Sequence, residues 1–119
     1  MFHRLLPAVL GLALAEAPLA AADKGVPDVV QFNRDVRPIL AGNCYTCHGR
    51  DEKARKARLR LDTRDGAFHR KKGDPVIVPG KPQESELFLR VSSTEPTERM
   101  PPLKAGKALS ARDLSLIHI

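Results

Sequence analysis

Five consecutive residues, Cys44-Tyr45-Thr46-Cys47-His48, hold both cysteines of this 119-residue chain. Two thiols three positions apart can add across the two vinyl groups of one porphyrin. A histidine directly after the second thiol can bring its imidazole beneath the iron. The C-x-x-C-H spacing therefore reads as covalent attachment of one c-type haem at Cys44 and Cys47, with His48 on the metal. Two other chemistries share part of the pattern. Thiol–disulfide exchange uses C-x-x-C, but at a strand-to-helix junction within a βαβ unit. Here the motif follows a helical pattern, and no βαβ pattern surrounds it. A structural zinc site needs about four ligands, and the chain has no second cysteine pair.

A haem iron held by His48 has a sixth position. Met100 is the only methionine after the initiator. It precedes Pro101-Pro102, and two fixed φ angles stiffen the backbone around it. That suits a weak thioether ligand, and Met/His ligation raises the potential of a haem. His69 is a competing ligand, His118 lies close to the chain end, and Met100 could also serve only as a flexible core filler.

These residues need elements to position them. Phe32, Val36, Ile39 and Leu40 share one helical face, with Asn33 as the expected N-cap and Pro38 expected to kink or shorten the helix. Gly42-Asn43 ends it just before Cys44. The stretch from Gly49 to Arg60 is heavily charged and reads as solvated surface. Leu59 and Leu61 alternate with its charges and should pin it to the core. Thr63 to His69 can form a short helical turn. Pro75 to Gly80 is extended and ends in a Pro-Gly turn. Pro82 opens the next helix, whose buried stripe is Leu87, Phe88 and Val91. Thr94 to Gly106 is proline-rich and without periodicity, so it reads as a loop. Ser110 to Asp113 resembles a capping box, and Leu114 and Ile117 continue a last helix. The expected fold class is all-α.

Composition sets the limits. The formal net charge is +6. His3 and Arg4, the uncharged apolar run Leu5 to Ala15, and Ala20-Ala21-Ala22 have the layout of a secretory signal peptide. Glu16 ends the apolar run short of the roughly 20 residues that a membrane span requires. Residues 1–22 are therefore expected to be removed on export, with 23–31 a leader and 32–119 one domain. No stable membrane span is expected after cleavage. Export also argues against nucleic acid as the partner of the basic surface, and an acidic protein or anionic surface fits better. The exported part has one Tyr and no Trp. A chain this small buries little surface. A disulfide across three residues would constrain almost nothing, whereas a haem is a large apolar disc that could complete the core.

In combination and in order, several motifs resemble the planctomycete-type cytochrome c domain. They are Phe32-x3-Val36-x-Pro38-Ile39-Leu40, Cys44-x-x-Cys47-His48-Gly49, Leu59-Arg60-Leu61-Asp62, Val78-Pro79-Gly80-Lys81-Pro82-x-x-Ser85 and Met100-Pro101-Pro102. The resemblance runs from about Phe32 to Leu116. It implies a small class I-like helical domain wrapped around one covalent haem c, with Met100 as the distal ligand. It also implies first and last helices that pack together; Leu114 and Ile117, one helical turn apart on one face, are the residues placed to meet Val36 and Leu40. Such domains commonly stand at the N-terminus of longer exported proteins. The family's last helix usually runs on to a Trp-Ile-x-x-Gly-like ending, where this chain has Ser115-Leu116-Ile117-His118-Ile119. A truncated last helix is thus expected.

The function that follows is electron transfer in the periplasm or cell envelope. The chain would act as a carrier or as the redox domain of a larger exported protein, with a redox partner protein or further domains of its own chain. It would carry out no bond chemistry itself. A haem-based ligand sensor, with an open sixth position, and a thiol–disulfide oxidoreductase without haem are the alternatives.

Overall fold

The computed structural model describes residues 25–68 and 75–118. The signal-peptide reading of residues 1–22 and the competing ligand His69 lie outside these. Among the described residues there are helices and turns but no strands, as expected for an all-α chain. None of the helices is long and apolar enough to cross a membrane.

The first helical element is in two parts, a π-turn at Phe32–Val36 followed by α1 at Arg37–Asn43. Pro38 has no N–H to donate and its ring crowds the preceding turn. The wider turn accommodates this: the Arg37 N–H reaches back to the Phe32 carbonyl. The expected N-cap, Asn33, lies inside the π-turn, and Gln31 caps it without a side-chain bond. The Asp35 carboxylate does the work instead, accepting the Gln31 N–H at 2.7 Å and both Arg34 guanidinium donors at 2.8 Å. Of the expected apolar face, Ile39 and Leu40 are buried and Val36 half-buried, while Phe32 is 56% exposed. The π-turn rotates Phe32 out of the α-helical phase that its spacing assumed.

α2 spans Arg64–Phe68. Thr63 starts it, with its hydroxyl accepting the Gly66 N–H at 3.1 Å. Pro75 to Lys81 is extended and closes in a turn from Val78 to Lys81 (Lys81 N to Val78 O, 3.0 Å) with Gly80 at φ +74°. That left-handed φ after a proline is the reason for a glycine there. A 3₁₀ turn at Pro82–Glu84 and α3 at Glu86–Ser92 follow. Buried Ser85 ties this corner together, since its hydroxyl accepts from the Val78 N–H at 2.8 Å and donates to the Lys81 carbonyl at 2.9 Å. Of the expected α3 stripe, Val91 is buried and Leu87 and Phe88 are half-buried. The next loop contains a 3₁₀ turn at Leu103–Ala105 and a cis peptide between Met100 and Pro101.

α4 spans Ala111–His118. Its capping box is complete: the Asp113 N–H donates to the Ser110 hydroxyl at 3.1 Å and the Ser110 N–H to the Asp113 carboxylate at 3.0 Å. α4 packs on both the π-turn and α3, so the ends of the domain meet. The residue that carries this packing is Leu116, 1% exposed; Leu114 and Ile117 are only half-buried. Wedged between two neighbours, α4 centres its buried stripe on Leu116 instead of on the Leu114–Ile117 edge. The remaining core clusters Leu40, Cys44, Leu61, Ala67 and Val76.

Candidate functional site

Cys44 follows directly from the end of α1, and its N–H donates to the Leu40 carbonyl at 2.8 Å. The next residues coil into one further turn, with the His48 N–H donating to the Cys44 carbonyl at 2.9 Å. Cys44 is thereby buried and Cys47 exposed. Gly49 must be glycine, because a Cβ there would collide with the Tyr45 carbonyl.

The charged segment after Gly49 then wraps back over this turn. The Lys56 N–H donates to the Cys47 carbonyl at 2.7 Å and the Leu61 N–H to the His48 carbonyl at 2.8 Å. The Arg55 side chain donates to the Gly49 and Arg50 carbonyls. The segment is exposed, as expected, but it is also the frame that holds the motif. Ala57 and Arg58 take positive φ (52° and 55°) to make the bend, an uncommon conformation for residues with a Cβ. The bend brings the Lys56 carbonyl to 3.2 Å from His48 Nδ1. A carbonyl can only accept, so Nδ1 carries the proton and the ring's lone pair lies on Nε2, the nitrogen that a metal would take. Arg60 and Asp62 form a two-point ion pair (2.6 and 3.0 Å) that brackets buried Leu61 and holds the Asp62 carboxyl below its usual range.

Cys44, Cys47 and His48 line a cavity of about 420 Å³, within the range of small-molecule and cofactor sites. Met100 lines the same cavity, with Pro101, Pro102, Ala105 and Lys107 from its loop. The rest of the wall is mostly apolar: Leu59, Leu61, Val76, Leu87 and Val91, with Glu86 and Arg90 from α3. The fold thus brings the four expected site residues, separated by more than fifty positions, to one chamber. His118 is not part of this lining. It packs edge-on against Phe88, with ring centroids 4.9 Å apart.

The donor set and its setting discriminate among chemistries. Burial pushes the Cys44 thiol up to about 11, and the motif sits at the C-terminal end of α1, where the helix dipole disfavours a thiolate. Thiol–disulfide exchange needs the opposite, a lowered thiol pKa. Among the described residues no group of three or more His, Cys, Asp or Glu could hold a metal ion by itself, so a zinc site has no ligand set here. Two thiols, an imidazole and a thioether on an apolar chamber fit a haem, which needs two covalent anchors, two axial donors and dry walls.

Sequence reading missed Glu86, Arg90 and Lys107 as lining residues. The first two stand at i and i+4 on α3, flanking the apolar residues that defined its stripe. That spacing was the available signal. Nothing local marks Lys107, whose ammonium donates to the Gly42 carbonyl at the end of α1.

Comparisons with known proteins agree with this geometry. No curated protein and no solved structure matches the chain. The sequence model described as Planctomycete cytochrome C matches residues 44–104, from the first cysteine of the motif to just past Met100. Over that span lie all four residues that meet at the cavity, and the chain belongs to the planctomycete cytochrome c family.

Proposed function

We propose that the chain transfers single electrons through one haem c, attached at Cys44 and Cys47 and ligated by His48 and Met100, in the cell envelope. The observation that carries this reading is the convergence of those four side chains on one apolar chamber of about 420 Å³. Haem c so ligated supplies reversible one-electron chemistry, and a Met/His ligand pair favours a raised potential.

The chain's own residues prepare the chamber for that task. The Lys56 carbonyl holds the proton of His48 on Nδ1 and so fixes the ring's orientation. Leu59, Leu61, Val76, Leu87 and Val91 give the chamber an apolar wall. With both axial positions filled, the expected activity is electron exchange and not bond chemistry. The cofactor would also occupy the space where a larger domain has its core, since Leu61, Val76 and Val91 are both core and chamber wall. The net charge of +6 suits docking to an acidic redox partner, either a separate protein or another domain of the same polypeptide. The leading residues 1–22 support export, where haem attachment to thiols takes place.

The test is expression in a periplasm with haem-attachment machinery, followed by a denaturing gel stained for haem peroxidase activity. A stained band at the mass of the chain is expected, and a colourless band overturns the reading. Carbon monoxide should not bind rapidly to the reduced protein. Rapid binding would favour a ligand sensor with an open sixth position.

A further inference from the structure

Arg90 lies on α3 at the chamber wall, and the Met100 loop hangs from it at two points. Its backbone carbonyl accepts the Met100 N–H at 3.1 Å. Its guanidinium Nη1 donates to the Glu98 carbonyl, two residues before Met100, at 3.3 Å. The same guanidinium is aimed by Glu86 one helical turn earlier, whose carboxylate accepts from Nε at 2.9 Å. Glu86 is itself anchored, because its N–H donates to the Pro75 carbonyl at 3.0 Å. A relay of polar contacts therefore runs from the Pro75 corner through Glu86 and Arg90 to the backbone on the N-terminal side of Met100.

The rest of that loop has few such ties. Glu95 to Glu98 turn on themselves, with the Glu98 and Arg99 N–H groups both donating to the Glu95 carbonyl, and these residues are exposed. Among the described residues no other helix side chain hydrogen-bonds to the backbone between Glu95 and Met100. An exposed i,i+4 ion pair on a helix adds little to stability. This pair, however, is bridged to a loop that carries a chamber residue, and its consequence is positional.

We propose that Arg90, aimed by Glu86, is a positioning residue for Met100: it fixes the loop so that the thioether is presented to the chamber, and so sets how firmly the sixth position of the iron is closed. This rests on the reading of Met100 as the axial ligand. Lysine cannot replace arginine here, because the planar fork donates to Glu86 and to the Glu98 carbonyl at once, and a single ammonium on a flexible stem does not reproduce that geometry.

The experiment uses the full-length holoprotein and imidazole as a competing ligand. Its two readouts are the weak long-wavelength sulfur-to-iron absorption band and the imidazole dissociation constant. Wild type should show the band, and Met100→Ala should abolish it. Arg90→Gln should weaken the band and tighten apparent imidazole binding about fivefold to tenfold, the scale of one lost hydrogen bond of ordinary strength. Arg90→Lys should lie close to Arg90→Gln, not close to wild type. Glu86→Gln leaves the arginine in place but aims it less firmly, and should shift imidazole binding in the same direction by a smaller factor. It serves as the second test should Arg90→Gln fail to fold. If the band survives Met100→Ala, the ligand reading fails and this inference with it. If Met100→Ala removes the band but the Arg90 and Glu86 variants bind imidazole as wild type does, the inference alone is overturned.

Discussion

The two segments that line the chamber are held in different ways. From Cys44 to Leu61 the chain is bound to itself by backbone hydrogen bonds, from Lys56 to Cys47 and from Leu61 to His48, and by the His48 imidazole, whose Nδ1 meets the Lys56 carbonyl. Around Met100 the loop is tied to a helix backbone at one point, the Met100 N–H on the Arg90 carbonyl, and otherwise by two long side chains, Arg90 reaching the Glu98 carbonyl on one flank and Lys107 reaching the Gly42 carbonyl on the other. The first segment presents its donors through local geometry. The second borrows its geometry from α3 and from the end of α1. A backbone-framed segment should be intolerant of steric change yet indifferent to most surface side chains, and a side-chain-tethered loop the reverse.

The largest effect expected is from Cys44→Ala with Cys47→Ala. If the chamber is a core completed by cofactor, this double variant should stain for no haem on a denaturing gel and lose its cooperative thermal transition, since the remaining core is small. A cooperative transition in the haem-free variant would show that both segments stand without it. Leu116→Ala provides a reference outside both segments. It should cost about 2–5 kcal/mol in denaturant unfolding, as for other large-to-small core changes, with the absorption spectrum of the folded holoprotein unaltered. A changed spectrum would mean that the α4 contact reaches the chamber.

Gly49→Ala tests the framed segment directly. Its Cβ would meet the Tyr45 carbonyl, and a cost of about 1–3 kcal/mol is expected for such overpacking, together with a lower yield of haem attachment. Unchanged stability would show that the frame is looser than its hydrogen bonds suggest. Lys107→Ala tests the tethered loop. It removes one donor from an exposed site and should cost no more than about 1 kcal/mol, but amide exchange from Leu103 to Lys107 should accelerate while that of Cys47 to Leu61 does not. Equal acceleration in both segments would erase the contrast between them.

The smallest effect lies at the π-turn, and its pH dependence shows in acid. The Arg34 guanidinium, then the Gln31 N–H, hold the Asp35 carboxyl down to about 2, below its ordinary value of 3.8. A lowered folded pKa means that the ionised form stabilises the fold. The contribution is complete above the unfolded value and fades as pH falls from about 4 through about 2. Asp35→Asn should therefore flatten the acid limb of the stability curve between those values and leave the chamber's spectrum alone. An unaltered acid limb would show that the carboxylate does not anchor the turn.

Much of the first segment was legible in the sequence because its information is local. Cys44, Cys47 and His48 declare themselves by spacing, the helix before them ends at Asn43 where Gly42-Asn43 indicated, and Leu59 and Leu61 meet the chamber by simple alternation. The capping box at Ser110 and the Pro79-Gly80 turn were equally plain, since each satisfies its own hydrogen bonds within four residues.

Other features needed the third dimension. Pro38 was read as a kink, but the form of its accommodation, a π-turn that turns Phe32 outward and moves the capping to Asp35, depends on how the turn packs against α4. Leu116 rather than Leu114 or Ile117 became the buried anchor because two neighbours, not one, close on α4. The i, i+4 spacing of Glu86 and Arg90 marked them as neighbours on α3, but neither it nor anything near Lys107 marks the distant carbonyl that each long side chain meets. The sequence by itself determined the chemistry of the donors, because covalent spacing is a property of the chain. Only the tertiary structure decided that those donors face one chamber and what tethers Met100 beside it, because those distances are set by packing between segments far apart in sequence.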